Sequence, residues 1–67
     1  MITIDGLFLI STWKDDINIV VYDLETGNVI DAQPYCFMPK EVRNMNVCNF
    51  NQNGNLVEIT VFNKKEK

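Results

Sequence analysis

Cysteine is the most reactive side chain in this sequence, and it occurs twice, at Cys36 and Cys48. A nucleophilic thiol needs a base or a cation beside it to form thiolate, and the chain has no histidine to serve. The same absence removes Ser-His-Asp and Cys-His arrangements and imidazole acid–base pairs. Two cysteines without a Cys-x-x-Cys pair are also too few ligands for structural zinc. Carboxylates offer no better start. Asp15 and Asp16 are adjacent, so an extended backbone turns them to opposite sides. Together with Asn18 they lack the glycine and distal glutamate of an EF-hand loop. Each of the three glycines fits a turn rather than a phosphate cradle. The expectation is a non-enzymatic chain with no catalytic residues, no metal and no cofactor.

Side chains suited to binding are easier to find. Tyr35-Cys36-Phe37-Met38 is an apolar run between Pro34 and Pro39, and aromatics and methionine are enriched at the centres of protein interfaces. Trp13 stands in a polar connection, followed by Asp15 and Asp16. Trp13, Asp15, Asp16, Tyr35, Phe37 and Met38 are therefore the candidate partner-binding residues. Against this, Phe37 and Met38 could simply plug one end of a barrel. A different class of site would use Tyr35 and Phe37 to stack bases and Lys40 and Arg43 to hold phosphates, as small barrels do with single strands.

Charge chooses between these classes. The net charge is −3. Residues 1–33 hold six acids against one lysine, whereas residues 34–67 hold three acids against five bases. An acidic chain without a basic stripe is a poor duplex binder and a better ligand for a basic surface. The leading expectation is a small acidic module that binds the basic surface of another protein, in the manner of a bacterial or phage regulator or inhibitor. Asp15, Asp16, Asp23, Glu25 and Asp31 would carry that contact if they share a face. The runner-up is a single-stranded nucleic-acid binder. A chain of 67 residues that is 46% apolar buries only about 60% of its unfolded surface, which favours self-association. No basic leader opens the sequence and no apolar run reaches the roughly 20 residues that span a bilayer. A cytoplasmic protein with reduced thiols is expected.

These residues must be held by a scaffold, and the pattern is that of strands. Residues 46–62 form a hairpin signal in which Asn53-Gly54 suits a type I′ turn. That turn sets Phe50 opposite Val57, Cys48 opposite Ile59 and Asn46 opposite Val61, with Cys48 and Phe50 on the apolar face. Asn49, Asn51 and Asn53 follow strand spacing and could hydrogen-bond across a sheet edge or to a partner. Asp5-Gly6 predicts a second hairpin, between residues 1–4 and 7–12, with Ile2, Ile4, Leu7 and Leu9 on one face. Residues 17–24 and 28–33 make the third, with Ile17, Ile19 and Val21 facing one way and residues 23–27 as the loop. Residues 34–45 read as a loop with one helical turn from Pro39, turning Val42 and Met45 inward. The sum is an all-β domain over residues 1–62, a small antiparallel meander of about six strands closed into a barrel or a two-layer sandwich. Residues 63–67 form a polar tail.

Overall fold

The computed structural model describes residues 2–63, so Met1 and most of the expected polar tail lie outside the described residues. Strands dominate, but there are four of them, in one open mixed sheet. Helix α1 spans Ile4–Ile10 and α2 spans Lys40–Arg43; the strands are β1 (Asn18–Asp23), β2 (Val29–Pro34), β3 (Asn46–Asn53) and β4 (Leu56–Phe62). Their order across the sheet is β2-β1-β4-β3. The six-strand antiparallel meander is thereby corrected, as is its closure into a barrel or second layer. Two antiparallel hairpins lie side by side, and β1 pairs with β4 in parallel. Two hairpins joined this way leave β2 and β3 at opposite edges. The link between them, residues 35–45, must cross three strand spacings, roughly 14 Å. It does so through a 3-10 turn at Tyr35–Phe37 and helix α2, and in crossing it buries Met38 and Val42. Pro39 sits one position before the first residue of α2.

The N-terminal hairpin is the largest correction. Residues 4–10 are helical because Thr3 caps them: its Oγ1 accepts the Gly6 N–H at 3.1 Å. Asp5 in the first turn adds a charge that favours the helix dipole. Ile4 and Leu7, three apart, bury themselves in the core. Ahead of the cap the chain is extended. Thr3 bridges Asn46, and the Val47 N–H donates to the Ile2 carbonyl at 2.8 Å.

The C-terminal hairpin exists as expected, with its turn displaced by one residue. Asn53 pairs with Leu56 and Phe50 with Ile59, so the loop is Gly54-Asn55. Gly54 takes φ of 64° and no non-glycine residue among those described has positive φ. That is the pattern of a type II′ turn, which wants glycine first. The displacement preserves which side chains share a face. A bulge between Val47 and Asn49 then shifts the register. It turns Val47 in against the core, opposite Val61, and leaves Cys48 exposed. The expected core position of Cys48 is corrected by this bulge.

One apolar cluster holds the layers together. Ile17, Ile19, Val21, Val57, Ile59 and Val61 meet Ile4, Leu7, Met38 and Val42. The inward face of Ile17, Ile19 and Val21 is as the alternation predicts. The loop after β1 is also as expected: the Asp23 carboxylate accepts the Thr26 hydroxyl at 2.9 Å and the Glu25 N–H at 3.4 Å.

Candidate functional site

The site is built where α1 ends. Leu9 and Ile10 fall off the face of α1 that carries Ile4 and Leu7, and stand 80% and 74% exposed. Ser11 terminates the helix with its N–H and its hydroxyl, which donate to the Phe8 carbonyl at 3.2 and 2.8 Å. The Ser11 Oγ in turn accepts the Trp13 N–H at 3.3 Å. This fixes the direction in which Trp13 leaves the helix. Its indole Nε1–H donates to Gln52 Oε1 on β3 at 3.0 Å. The ring meets Phe50 edge-on, with centroids 5.9 Å apart and planes at 77°, a favoured aromatic geometry.

Between these elements lies an open cleft of about 370 Å³. Leu7, Ile10, Trp13 and Phe50 give it apolar walls, and Ser11, Thr12 and Gln52 give it a few polar groups. Phe50, expected in the core, is 46% exposed. It lies on the edge strand, opposite Ile59, where nothing but Trp13 stacks against it. A surface of this kind has room and apolar walls for apolar side chains of a ligand. It holds no convergent titratable groups with which to do chemistry.

A second cluster ties α1 to the edge-to-edge link. The Tyr35 hydroxyl donates a short hydrogen bond to Asp5 Oδ1, and Arg43 Nη1 pairs with the same oxygen at 3.4 Å. The Tyr35 ring stacks on Phe8, with centroids 3.8 Å apart and planes within 3°. The Arg43 guanidinium lies 5.9 Å from the Tyr35 ring centroid. Burial, and then the bond to the Asp5 carboxylate, push the Tyr35 phenol above its ordinary value. The Arg43 guanidinium is likewise held charged, first by its hydrogen bond to Tyr35. These contacts orient α1, and through it the cleft.

The residues singled out from sequence divide among three places. Trp13 is in the cleft. Asp15 and Asp16 are exposed in the turn that follows it, and the Asp15 carbonyl accepts the Cys36 N–H at 2.9 Å. That bond sets the turn beside the Tyr35–Phe37 turn, where Phe37 is 69% exposed. Met38 is 5% exposed and belongs to the core. Tyr35 and Arg43 are engaged with Asp5 and Phe8, while Lys40 is exposed. The acids do not form one patch. Asp15 and Asp16 precede β1, whereas Asp23 ends it and Glu25 follows it, roughly 20 Å away along the strand. The Asp31 carboxylate is occupied by the Ala32 N–H and the Gln33 amide. Sequence reasoning missed Leu9, Ile10, Phe50 and Gln52. The available signal was the helical spacing of Ile4, Leu7 and Phe8, which leaves Leu9 and Ile10 unaccounted for.

Among the described residues no group of three His, Cys, Asp or Glu side chains could hold a metal ion, and no helix is long and apolar enough to cross a membrane. No protein-family model, curated protein or solved structure matches the chain.

Proposed function

We propose that this chain is a small protein-binding module, without chemistry of its own, that docks a partner in the cleft between α1 and β3. The observation that carries this reading is the exposure of Ile10 and Phe50 beside Trp13 in the cleft, with Leu9 exposed next to Ile10 in the chain. Three large apolar side chains, Ile10, Trp13 and Phe50, lining one open cleft of a 67-residue chain make it a candidate contact surface. Asp15 and Asp16 lie just beyond Trp13 in the chain, exposed, and are the acids assigned to the same contact. The fitting partner presents an apolar segment flanked by basic residues, which suits a regulator or inhibitor that occupies a basic surface of a larger protein. A single-stranded nucleic-acid site on Tyr35, Phe37, Lys40 and Arg43 is the reading it displaces. Tyr35 is stacked on Phe8 and Arg43 is tied to Asp5, which leaves Phe37 and Lys40 alone to hold a strand.

The test compares the immobilised wild-type chain with a Leu9→Ser, Ile10→Ser double variant in retaining proteins from its source cells. A protein retained by the wild type, lost by the double variant and weakened by Asp15→Lys with Asp16→Lys is the expected result. Retention that ignores all four substitutions, or retention of single-stranded oligonucleotide that Lys40→Glu abolishes, contradicts the proposal.

A further inference from the structure

We infer that the free edge of β3 pairs with β3 of a second copy of this chain, antiparallel and centred on Asn51, to make one continuous eight-stranded sheet. The inference stands on main-chain geometry and charge, independently of any partner in the cleft.

The geometry begins at the turn. A two-residue loop makes Asn53 and Leu56 the hydrogen-bonded pair next to it. Bonded and non-bonded pairs alternate along an antiparallel ladder, so Gln52 and Phe50 turn their N–H and C=O groups away from β4. The Phe50 N–H confirms the direction, since it is taken by Asn49 Oδ1 at 2.8 Å rather than by β4. The first half of the same edge is already paired, by Thr3 against Asn46 and by Val47 against Ile2. The fold therefore accepts an added strand at this edge, and residues 49–53 are the part that no other main chain pairs; there a partner carbonyl must displace the Asn49 side chain from the Phe50 N–H.

A two-fold axis at Asn51 places Phe50 opposite Gln52 of the second copy. Both have outward main-chain groups, so each such pair exchanges two hydrogen bonds. Neither proline nor bulge interrupts residues 49–53. On one face Asn49, Asn51 and Asn53 meet their own kind. Side-chain amides donate and accept, so a row of them complements itself. On the other face the exposed Phe50 lies opposite the second copy's Gln52.

Charge selects a second copy as the occupant. The chain carries −3, yet no charged residue occurs between Arg43 and Glu58. Of the four strands among the described residues, β3 alone lacks an acid: β1 holds Asp23, β2 holds Asp31 and β4 holds Glu58. It is the edge at which two acidic copies can approach without like charges opposite one another. Edge strands that must stay apart carry charge or proline, and β3 carries neither.

Sedimentation equilibrium across a concentration series tests this. The wild type is expected to move from 7.8 kDa toward twice that mass. Asn51→Lys sets two lysines opposite each other, and Gln52→Pro deletes an outward N–H that the monomer does not use. Each is expected to raise the dissociation constant by about tenfold or more while far-UV circular dichroism stays that of the wild type. Asn49→Ala, which removes the competitor for the Phe50 N–H, is expected to dimerise at least as tightly. A wild type that stays at monomer mass up to about 1 mM, the weak end of specific association, overturns the inference. So does dimerisation that survives Asn51→Lys and Gln52→Pro but is lost in Leu9→Ser, which would place the contact on α1.

Discussion

The two edges of the sheet are built on opposite terms. β2 is closed by its own residues. It ends in Pro34, which has no N–H, and its register breaks at a bulge between β1 residues Val21 and Tyr22. The outward Ala32 N–H is taken by the Asp31 carboxylate at 3.0 Å. These are the devices by which edge strands avoid other chains. β3 has its bulge only at the end that residues 2–3 already cover; its outward Phe50 N–H is capped too, but by the neutral Asn49 side chain, and the rest of it is uncharged and flanked by the cleft. The two edges therefore differ in strength of closure: charge and proline close β2, whereas a single neutral amide caps β3.

The largest effect expected from a substitution lies between the edges. Ile59 is fully buried in the β4 strand that joins both hairpins. Ile59→Ala is expected to cost about 2–5 kcal/mol, against a total of roughly 3–10 kcal/mol for a chain of this size. Phe50, its cross-strand neighbour on the β3 edge, is expected to cost about 1 kcal/mol or less when changed to alanine, because much of its ring is already in water. Urea unfolding followed by circular dichroism checks the pair. Equal losses would mean that the β3 edge is core rather than surface.

The next effect concerns what orients α1. Tyr35→Phe removes the hydrogen bond to Asp5 and is expected to cost about 1 kcal/mol, since the acceptor is charged but partly solvated. It also predicts a pH dependence. The folded phenol is raised above its ordinary value of 10.0, so the folded state keeps the proton longer than the unfolded chain does. Its stabilising contribution is complete below pH 10 and is lost as pH rises through the folded value. The wild type should lose stability on that alkaline limb more steeply than Tyr35→Phe. Parallel limbs would remove Tyr35 from the account of how α1 is held.

The smallest effect on stability is expected where the effect on contact is greatest. Leu9→Ser and Ile10→Ser should each shift folding free energy by no more than about 0.5 kcal/mol, measured by thermal unfolding. Ile4→Ala on the inner face of the same helix should cost about 2–5 kcal/mol. A large loss at Ile10 would assign it to folding and take it out of the cleft's function.

Local chemistry made parts of this fold legible. The turn after β1 follows from Asp23, Thr26 and Gly27, and the inward face of β1 follows from alternation. The hairpin of β3 and β4 was legible too, but its turn was ambiguous by one residue. Asn53-Gly54 and Gly54-Asn55 are both acceptable loop pairs, and they keep the same side chains on each face while moving the partner of Phe50 from Val57 to Ile59. The bulge at Cys48 carries no glycine or proline to announce it. Helix α1 was hidden by Asp5-Gly6, a strong hairpin pair, and seven residues are too few for a 3.6-residue period to outweigh it. The parallel pairing of β1 with β4 joins segments some forty residues apart in sequence, which no local signal encodes. In the cleft, Trp13 was legible as an aromatic on a polar connection. Phe50 and Ile10 were not, because their exposure depends on α1 being a helix and β3 being an edge.

Amide hydrogen exchange, read residue by residue by NMR at low and high protein concentration, compares the two edges directly. The Gln52 N–H on β3 is expected to exchange about tenfold or more slowly as the chain is concentrated through its association midpoint, while the Ala32 N–H on β2 stays unchanged. A Gln52 rate that is the same at both concentrations would contradict the account of β3 as an edge left open for another copy.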